Sequence, residues 1–205
     1  MVKLPRIPPG PLIRRPGDVH THRGTLALWR VHQTAGPHVT PWDELRYFGP
    51  TTSRFDPQRP PPALPSRGVT YAALDVPTVL AEAFQRTRVV DTTRRVPYLT
   101  GWRPARALLL LDLTGTWPIR NGASHVLTSG PKSVCRQWAA AIDARWPDLD
   151  GMWAVSTMTG HPTVVLFTHA ADAFPPRPSF SRPLTTPALA SSLHGAVAAI
   201  GYRIV

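Results

Sequence analysis

Cysteine, lysine and long apolar runs are scarce in this sequence of 205 residues. Its one cysteine, Cys135, excludes an internal disulfide framework and any metal site built from several thiolates, so the fold must depend on an apolar core. Apolar runs such as Ala107 to Leu111 reach only five residues, far fewer than the roughly 18 that cross a bilayer, and prolines at positions 5, 8 and 9 leave no room for a signal-peptide core. We therefore expect a cytoplasmic protein in a reducing compartment, with no membrane segment.

Motifs of the common nucleotide-binding and hydrolase folds are also absent. The sequence contains no G-x-G-x-x-G, no G-x-x-x-x-G-K-[ST], no H-E-x-x-H and no G-x-S-x-G. Standard dinucleotide folds, P-loops, zincins and α/β-hydrolases therefore lose support. His20 and His22 form an H-x-H pair, but two imidazoles alone are too few ligands for zinc, and we predict no metal site.

Positive charge is plentiful. The chain has 23 basic residues against 12 acidic ones, a net charge of +11, and all the basic residues except Lys3 and Lys132 are arginines. Such a balance is typical of nucleic-acid-binding proteins. However, the arginines are spread along the chain and no basic motif is flanked by aromatic residues, while the 25 prolines indicate a compositional bias. A basic protein whose N-terminal arm contacts nucleic acid is therefore the non-enzymatic alternative.

Hydrophobic patterning predicts one domain preceded by a short arm. Residues 1–23 contain five prolines and little periodicity, so we expect an extended Pro/Arg-rich arm before a domain over residues 24–205. A hydrophobic fraction of 42% and a charged fraction of 17% suit a single globular domain. The proline-rich stretch 58–66 predicts a loop, which at this length can border a site.

Both strand and helix patterns occur after the arm. Strands are predicted at Gly24–His32, Val69–Leu74, Ala105–Leu113, Met152–Val155 and Thr163–Phe167, the third of them buried at the centre of a sheet. Helices are predicted at 76–84 after an Asp75 cap, at 131–146, and at 187–200 after a Thr186 cap. Glu82 lies about 130° from the middle of the apolar stripe of the first helix. Hairpins beside helices favour an α+β fold.

Five polar residues stand in order on these elements. Arg30 ends the first strand in Leu-Trp-Arg-Val-His, and Arg54 lies in Ser-Arg-Phe-Asp. Tyr71 begins Tyr-Ala-Ala, Glu82 follows on the helix, and Ser156 ends Asp-Gly-Met-Trp-Ala-Val-Ser. Taken singly, each is better explained as an ordinary residue, namely a surface arginine, a strand tyrosine, an exposed helix glutamate or a turn serine, because charged residues are mostly solvated.

As a set, and with the segment from 125 to 141, these motifs resemble the RES-domain family over roughly residues 24–167. The family is named for its Arg, Glu and Ser, and its members include toxins of bacterial toxin–antitoxin pairs. It is similar in fold to ADP-ribosyltransferases, and its toxins consume NAD by breaking the bond to nicotinamide. The resemblance therefore implies a single α+β domain with a mixed sheet flanked by helices. It also implies an NAD-degrading enzyme neutralised by a cognate antitoxin.

The resemblance also assigns roles to the five residues. It implies that Arg30, Glu82 and Ser156 are catalytic and that Arg54 and Tyr71 bind substrate. Nicotinamide leaves NAD as a neutral base, so one carboxylate suffices where ordinary glycosidases use two. Glu82 would stabilise the ribosyl oxocarbenium charge, hydrogen-bond a ribose hydroxyl or orient an incoming nucleophile. The two arginines would hold the pyrophosphate, Tyr71 would pack against nicotinamide or ribose, and Ser156 would hydrogen-bond nearby. NAD is then a substrate, water or phosphate the acceptor, and no cofactor is expected.

One enzymatic alternative stays open, namely transfer of ADP-ribose to a target protein, which uses the same cleavage with another acceptor. Two features depart from the family pattern. Ala154 and Thr157 stand around Ser156 where the family commonly has an aromatic residue and an arginine. The proline-rich stretch lengthens the connection between Arg54 and Tyr71.

Overall fold

A mixed β-sheet forms the framework of the protein, in a computed structural model that describes residues 3–22, 24, 26–64 and 66–205. The strands are β1 (Val19–His22), β2 (Leu28–Gln33), β3 (Val69–Ala73), β4 (Val89–Val90), β5 (Pro97–Trp102), β6 (Leu108–Asp112), β7 (Gly151–Val155), β8 (Pro162–Phe167), β9 (Phe180–Pro183) and β10 (Arg203–Ile204). Eight of them form one sheet in the order β1-β6-β7-β8-β3-β2-β5-β9, antiparallel throughout except between β6 and β7. Strands β4 and β10 form a separate parallel pair.

Four α-helices accompany the sheet. They are α1 (Val76–Ala83), α2 (Trp117–Arg120), α3 (Lys132–Arg145) and α4 (Ala190–Ala199). Short 3-10 helices occur at Pro16–Asp18, His125–Thr128, Thr168–Ala173 and Pro187–Leu189. This arrangement confirms the predicted α+β class with a mixed sheet flanked by helices. None of the helices in the described part of the chain is long and apolar enough to cross a membrane.

Helix α3 packs over β6, β7 and β8. Its buried side chains Trp138 and Ile142 share an apolar cluster with Leu111, Met152 and Val165 of those strands. Apolar residues three and four apart on the helix produce this contact, as its sequence pattern predicts. Proline 147 follows the helix and prevents its continuation.

Helices α1 and α4 pack over β2, β3 and β5. Leu80 of α1 and Leu193 of α4 lie in one cluster with Leu99 and Ala73 of the sheet. Tyr71 packs against the α3 cluster, and it is two residues from Ala73 on the same strand. Because alternate residues of a strand share a face, α1 and α3 lie on the same face of the sheet, side by side.

The opposite face of the sheet is covered by irregular segments. Ala72, Leu110 and Leu166 point into a third apolar cluster, which is closed by Trp42 and by the 3-10 helix Thr168–Ala173. The sheet is therefore buried on both faces, which accounts for the unbroken run of leucines in β6.

Helix α1 begins where the sequence predicts. The Asp75 carboxylate accepts a hydrogen bond from the backbone N–H of Thr78 at 2.8 Å, so it caps the helix as expected. Leu80 is buried as predicted, whereas Ala83, which the stripe places in the core, is exposed. Glu82 is half-buried.

Three predictions about the sheet and the last helix need correction. Strand β6 is second from the edge and not central, because β1 lies outside it. Strand β5 is absent from the predicted set, because Pro97 and Gly101 interrupt its apolar pattern. In the structure it lies between β2 and β9. The ring of Trp29 occupies the space that a Cβ on Gly101 would need. The last helix is 3-10 before Ala190, and the Thr186 hydroxyl donates to the carbonyl of Pro183 at 2.7 Å instead of capping it.

The described part of the N-terminal segment, residues 3–22, packs against the domain, although the sequence suggests an arm without regular structure. Its end forms β1 beside β6. The indole N–H of Trp138 donates to the carbonyl of Pro5 at 3.0 Å, and that of Trp117 donates to the carbonyl of Ile13 at 2.9 Å. Buried indoles need acceptors, and this proline-rich backbone supplies them.

Gly151 begins β7 against the backbone of β8. A Cβ at this position would overlap the carbonyl oxygen of Val165. We expect Gly151→Ala to lower the free energy of unfolding by about 2 to 3 kcal/mol, because the two strands must separate to admit the methyl group. Urea denaturation measures this loss. Gly195→Ala in α4, where an added Cβ meets nothing within 4 Å, should leave the stability unchanged or slightly higher. Equal losses in both variants would contradict the expectation.

Candidate active site

A cleft of about 740 Å³ lies between α1 and α3 on their shared face of the sheet. Its floor comes from β3 and β8, with Tyr71 and Val165, and its walls come from α1 and from the loop around Arg54. At one end of the cleft β2 and β3 diverge. Between these two strands the register contains the single pair Trp29–Ala73, whereas β2 pairs with β5 along its whole length. This divergence admits side chains of β2 to the cleft.

Glu82 enters the cleft from α1 and is fixed at both carboxylate oxygens. Oε1 accepts a hydrogen bond from the hydroxyl of Ser156 at 2.6 Å, and Oε2 accepts one from the side-chain amide of Gln85 at 3.2 Å. The same amide also donates to the carbonyl of Glu82 at 2.9 Å. The sequence leaves open whether Glu82 meets water or a cleft, and the structure places it in the cleft.

Ser156 is buried behind Glu82 and does not line the cleft, although its neighbours Val155 and Thr157 do. Its Oγ accepts from the backbone N–H groups of Met158 at 3.0 Å and Thr159 at 3.2 Å. Two donors therefore occupy the lone pairs of the hydroxyl, and its own proton is directed to Glu82. The geometry makes Ser156 a positioning group for the carboxylate.

The turn after Ser156 is tied to the first turn of α1. The hydroxyls of Thr159 and Thr78 lie 2.9 Å apart, and Nδ1 of His161 lies 3.1 Å from a carboxylate oxygen of Asp75. Hydrogen bonds from the Thr78 backbone and side chain and from His161 lower the pKa of Asp75 against the opposing effect of its partial burial. These contacts fix the position of the helix that carries Glu82 relative to the turn that carries Ser156.

Arg30 lies on the β2 side of the cleft. Its Nη1 donates to the carbonyls of Pro41, Trp42 and Glu44 at 3.2, 3.1 and 3.1 Å. Burial and the nearby charge of Arg46 lower the pKa of Arg30 to about 10, so the guanidinium is still cationic at neutral pH. Nε and Nη2 make no hydrogen bond with the residues that the structure describes, which leaves them for an anion in the cleft.

Arg54 lies on the opposite wall. Its Nη1 donates to the carbonyl of Gly130 and lies 3.8 Å from the sulfur of Cys135. Burial raises the pKa of Cys135 even though Arg54 acts against this shift. The thiol donates to the carbonyl of Leu127 at 3.2 Å, and the prediction that this cysteine is a core residue is confirmed.

Tyr71 presents its ring to the cleft, but its hydroxyl is already bound. It donates to the carboxylate of Asp56 at 2.7 Å and accepts from the backbone N–H of Phe55 at 3.1 Å. Burial and the charge of Asp56 raise the pKa of Tyr71 well above its usual value. Asp56 is fully buried and also binds Arg46 at 2.6 Å and the backbone N–H of Thr51 at 2.6 Å. It therefore fixes both Tyr71 and the loop that carries Arg54.

The structure thus brings the five predicted residues together. Four of them line the cleft, and Ser156 is buried behind Glu82. The structure also adds residues that the sequence does not single out: the cations Arg46, Arg86 and Lys132 and the buried Asp56. Asp56 has a sequence signal, because it ends the motif Ser-Arg-Phe-Asp, whereas Arg46, Lys132 and Arg86, which lies in the turn after α1, have none. Among the described residues that line the cleft, five are cations and Glu82 is the one carboxylate.

The H-x-H pair lies away from this cleft. His20 is 3.6 Å from Asp112, and the ring of His22 stacks on Trp153 with 4.8 Å between the ring centroids. Burial, and to a smaller degree His20, lowers the pKa of His22. Within residues 3–22, 24, 26–64 and 66–205, no group of three or more His, Cys, Asp or Glu side chains is placed to hold a metal ion.

His32, two residues after Arg30, is buried, and its Nε2 lies 3.0 Å from the hydroxyl of Thr100. Burial and the charge of Arg30 lower the pKa of His32 to about 4. The unfolded chain binds this proton near pH 6.5, so acidification from pH 7 to pH 5 should cost about 2 kcal/mol of stability through this group. Urea denaturation at both pH values measures the loss. His32→Gln should lose about 2 kcal/mol less than the wild type, and equal losses would contradict the assignment.

The sequence matches the RES domain over residues 27–186, which is most of the chain, and the protein therefore belongs to the RES-domain family. Its structure is similar to a chain in the crystal structure of the M. tuberculosis MbcT–MbcA toxin–antitoxin complex. The TM-score is 0.56 with 16% sequence identity, over 85% of this chain and 92% of that chain. At this identity the likeness shows a shared fold. None of the curated proteins compared with the chain matches it in sequence.

Proposed function

We propose that this protein is the toxin of a toxin–antitoxin pair and that it breaks the bond between nicotinamide and ribose in NAD. Membership of the RES-domain family and a fold shared with a chain of the MbcT–MbcA toxin–antitoxin complex support the first part. The observation that carries the second is one fixed carboxylate, Glu82, in a cleft whose other charged lining residues, among those described, are all cations.

The cations suit the charge of the substrate. NAD carries two negative charges on its pyrophosphate, and guanidinium groups bind phosphate oxygens with charge-assisted hydrogen bonds of about 1.5 to 3 kcal/mol each. Arg30 and Arg54 would hold the pyrophosphate between them from opposite walls. Asp56 would keep the ring of Tyr71 flat against the nicotinamide or the ribose, because it fixes the hydroxyl at 2.7 Å.

The chemistry needs one carboxylate. As the glycosidic bond breaks, its electron pair leaves with nicotinamide, which becomes neutral and needs no proton, and positive charge develops on the ribose. Glu82 would stabilise this charge, and the hydrogen bond from Ser156 at 2.6 Å would keep the carboxylate aimed at it. Water or phosphate then attacks the anomeric carbon. With water as acceptor, Glu82 would also accept the proton that is released.

The direct test is the NAD concentration over time with purified protein, in buffers with and without phosphate. We expect NAD to disappear and free nicotinamide to accumulate in equal amount. Phosphate-dependent loss identifies phosphorolysis, and phosphate-independent loss identifies hydrolysis. Mass spectrometry of cell proteins distinguishes both from ADP-ribose transfer, which leaves an adduct. NAD that persists in both buffers, with no adduct on cell proteins, contradicts the proposal.

Ser156→Ala should lower kcat for NAD about tenfold and leave KM within about twofold, because the lost hydrogen bond orients Glu82 and does not touch the substrate. Steady-state NAD consumption gives both constants. Ser191→Ala, an exposed position on α4, is the matched control and should behave like the wild type. A raised KM with unchanged kcat would instead indicate that Ser156 contacts NAD.

The antitoxin would act by blocking the cleft. Expression of the toxin should arrest growth, and co-expression of the protein encoded beside it should restore growth and NAD levels. Growth that stays arrested when both proteins are soluble would contradict this pairing.

A further inference from the structure

A second groove lies behind the loop that carries Arg54. Its volume is about 870 Å³, and it runs between the N-terminal segment, the start of the proline-rich loop and α3. Four arginines from these three segments line it, namely Arg6, Arg59, Arg136 and Arg145. No carboxylate is among its lining in the part of the chain that the structure describes.

Three of these arginines have no counter-charge among the residues that the structure describes. Arg6, Arg59 and Arg145 are exposed and make no hydrogen bond or ion pair through their side chains to any residue in the described ranges. The carboxylates nearest to Arg145 in sequence, Asp143 and Asp148, are bound to arginines outside the groove at 3.1 and 2.5 Å. Like charges gathered in this way produce a local positive potential that attracts an anionic ligand.

Apolar side chains, which we call the floor of the groove, stand between the arginines, namely Ile7, Leu12 and Ala141, of which Ile7 is 60% exposed. The uncharged polar residues Gln58, Ser133 and Gln137 also line the groove. A phosphodiester backbone has no groups that would cover the apolar side chains. A peptide that carries both carboxylates and apolar side chains matches the rim and the floor together.

We propose that this groove binds an acidic segment of a partner protein, with carboxylates on the arginines and apolar side chains on the floor. Arg136 links the groove to the cleft, because its Nη1 donates to the carbonyls of Thr51 and Ser53 at 2.9 and 3.3 Å. The other side of that loop, with Arg54, lines the cleft. A partner in the groove therefore lies beside the cleft entrance. Its identification with the antitoxin rests on the proposed function, whereas the binding itself does not.

Fluorescence anisotropy tests the inference, with a labelled synthetic peptide of alternating Glu-Glu and Leu-Leu pairs as the probe. A polyglutamate peptide and a single-stranded DNA of the same net charge serve as comparison probes. We expect the full-length protein to bind the mixed peptide more tightly than either. The Arg59→Glu/Arg145→Glu double variant should lose at least about tenfold in affinity, because two charge-assisted contacts become repulsive. Arg177→Glu/Arg182→Glu, the same change at exposed arginines outside the groove, should stay within about twofold.

Two results would overturn the inference: a double variant that binds the peptide as the wild type does, or DNA that binds at least as tightly as the mixed peptide. The same preparations are assayed for NAD loss, which should be unchanged in the double variant because neither arginine lines the cleft. A wild-type protein that binds the peptide but leaves NAD intact supports the groove and contradicts only the proposed function.

Discussion

Glu82→Gln should reduce the rate of NAD loss at least about a hundredfold while the fold is retained. The amide has the same shape as the carboxylate and still accepts the hydrogen bond that Ser156 donates at 2.6 Å, but it lacks the negative charge that, in the proposed mechanism, stabilises the developing ribosyl cation. Removal of one such electrostatic contact typically costs a factor of about 100 to 1,000. Nicotinamide release, followed at saturating NAD, measures the effect, and KM should change little.

The chain offers a matched control, because Glu44 is its only other glutamate. The carboxylate of Glu44 is exposed and makes no hydrogen bond with the described residues, since Arg30 binds its backbone carbonyl. Glu44→Gln removes the same charge from the same neighbourhood and should keep most of the activity. Wild-type activity in both variants would show that Glu82 is not the catalytic carboxylate. Equal loss in both would trace the effect to the net charge around the cleft.

Asp56→Ala should lower the free energy of unfolding by about 3 to 5 kcal/mol, the largest stability effect that we expect in this protein. The carboxylate is fully buried, and the substitution would leave Arg46, Thr51 and the hydroxyl of Tyr71 without their acceptor. The loss comes from the hydrogen bonds of this buried acceptor and from the half-buried Arg46, which loses its counter-charge. Urea denaturation monitored by tryptophan fluorescence measures the change.

The ion pair between Asp148 and Arg14 is the control for this substitution. Its N–O distance is 2.5 Å, close to that of the Asp56–Arg46 pair, but the side chain of Asp148 is 52% exposed. Asp148→Ala should therefore cost less than about 1 kcal/mol, because water replaces the lost partner. A comparable cost in the two variants would show that burial is not the source of the Asp56 effect.

Local patterns in the sequence predict much of the fold. The stripe of apolar residues and the Asp75 cap predict α1, and the turn around Gly160 predicts the hairpin of β7 and β8. Strand β1 could not be predicted, because it lies at the sheet edge and its sequence Val-His-Thr-His shows no alternation of apolar and polar residues. Strand β5 could not be predicted, because Gly101 interrupts its pattern. A glycine is needed there to admit the ring of Trp29, which is distant in sequence.

The candidate site, like the fold, could be predicted from the sequence only in part. The order Arg30, Arg54, Tyr71, Glu82 and Ser156 is predicted by the family resemblance, and the structure gathers these residues around one cleft. Their catalytic roles stay predictions. Two of the hydrogen bonds that orient them, Ser156 to Glu82 and Tyr71 to Asp56, connect residues 74 and 15 positions apart, and no local pattern contains such pairs.

The packed N-terminal segment changes how the nucleic-acid alternative must be tested. Removal of residues 1–23 would take away β1 and the acceptors of Trp117 and Trp138, so a loss of nucleic-acid binding in that truncation could come from a damaged domain. Substitution of exposed arginines within the intact chain avoids this difficulty.

The single residue pair between β2 and β3 is the shortest backbone pairing in the eight-stranded sheet, since β2 pairs with β5 over six residues and β3 with β8 over five. A molecule that contacts both Arg30 of β2 and Tyr71 of β3 would join the two strands across this short pairing. Slower amide hydrogen exchange in β2 and β3 and a higher melting temperature would therefore report binding even for a compound that is never cleaved.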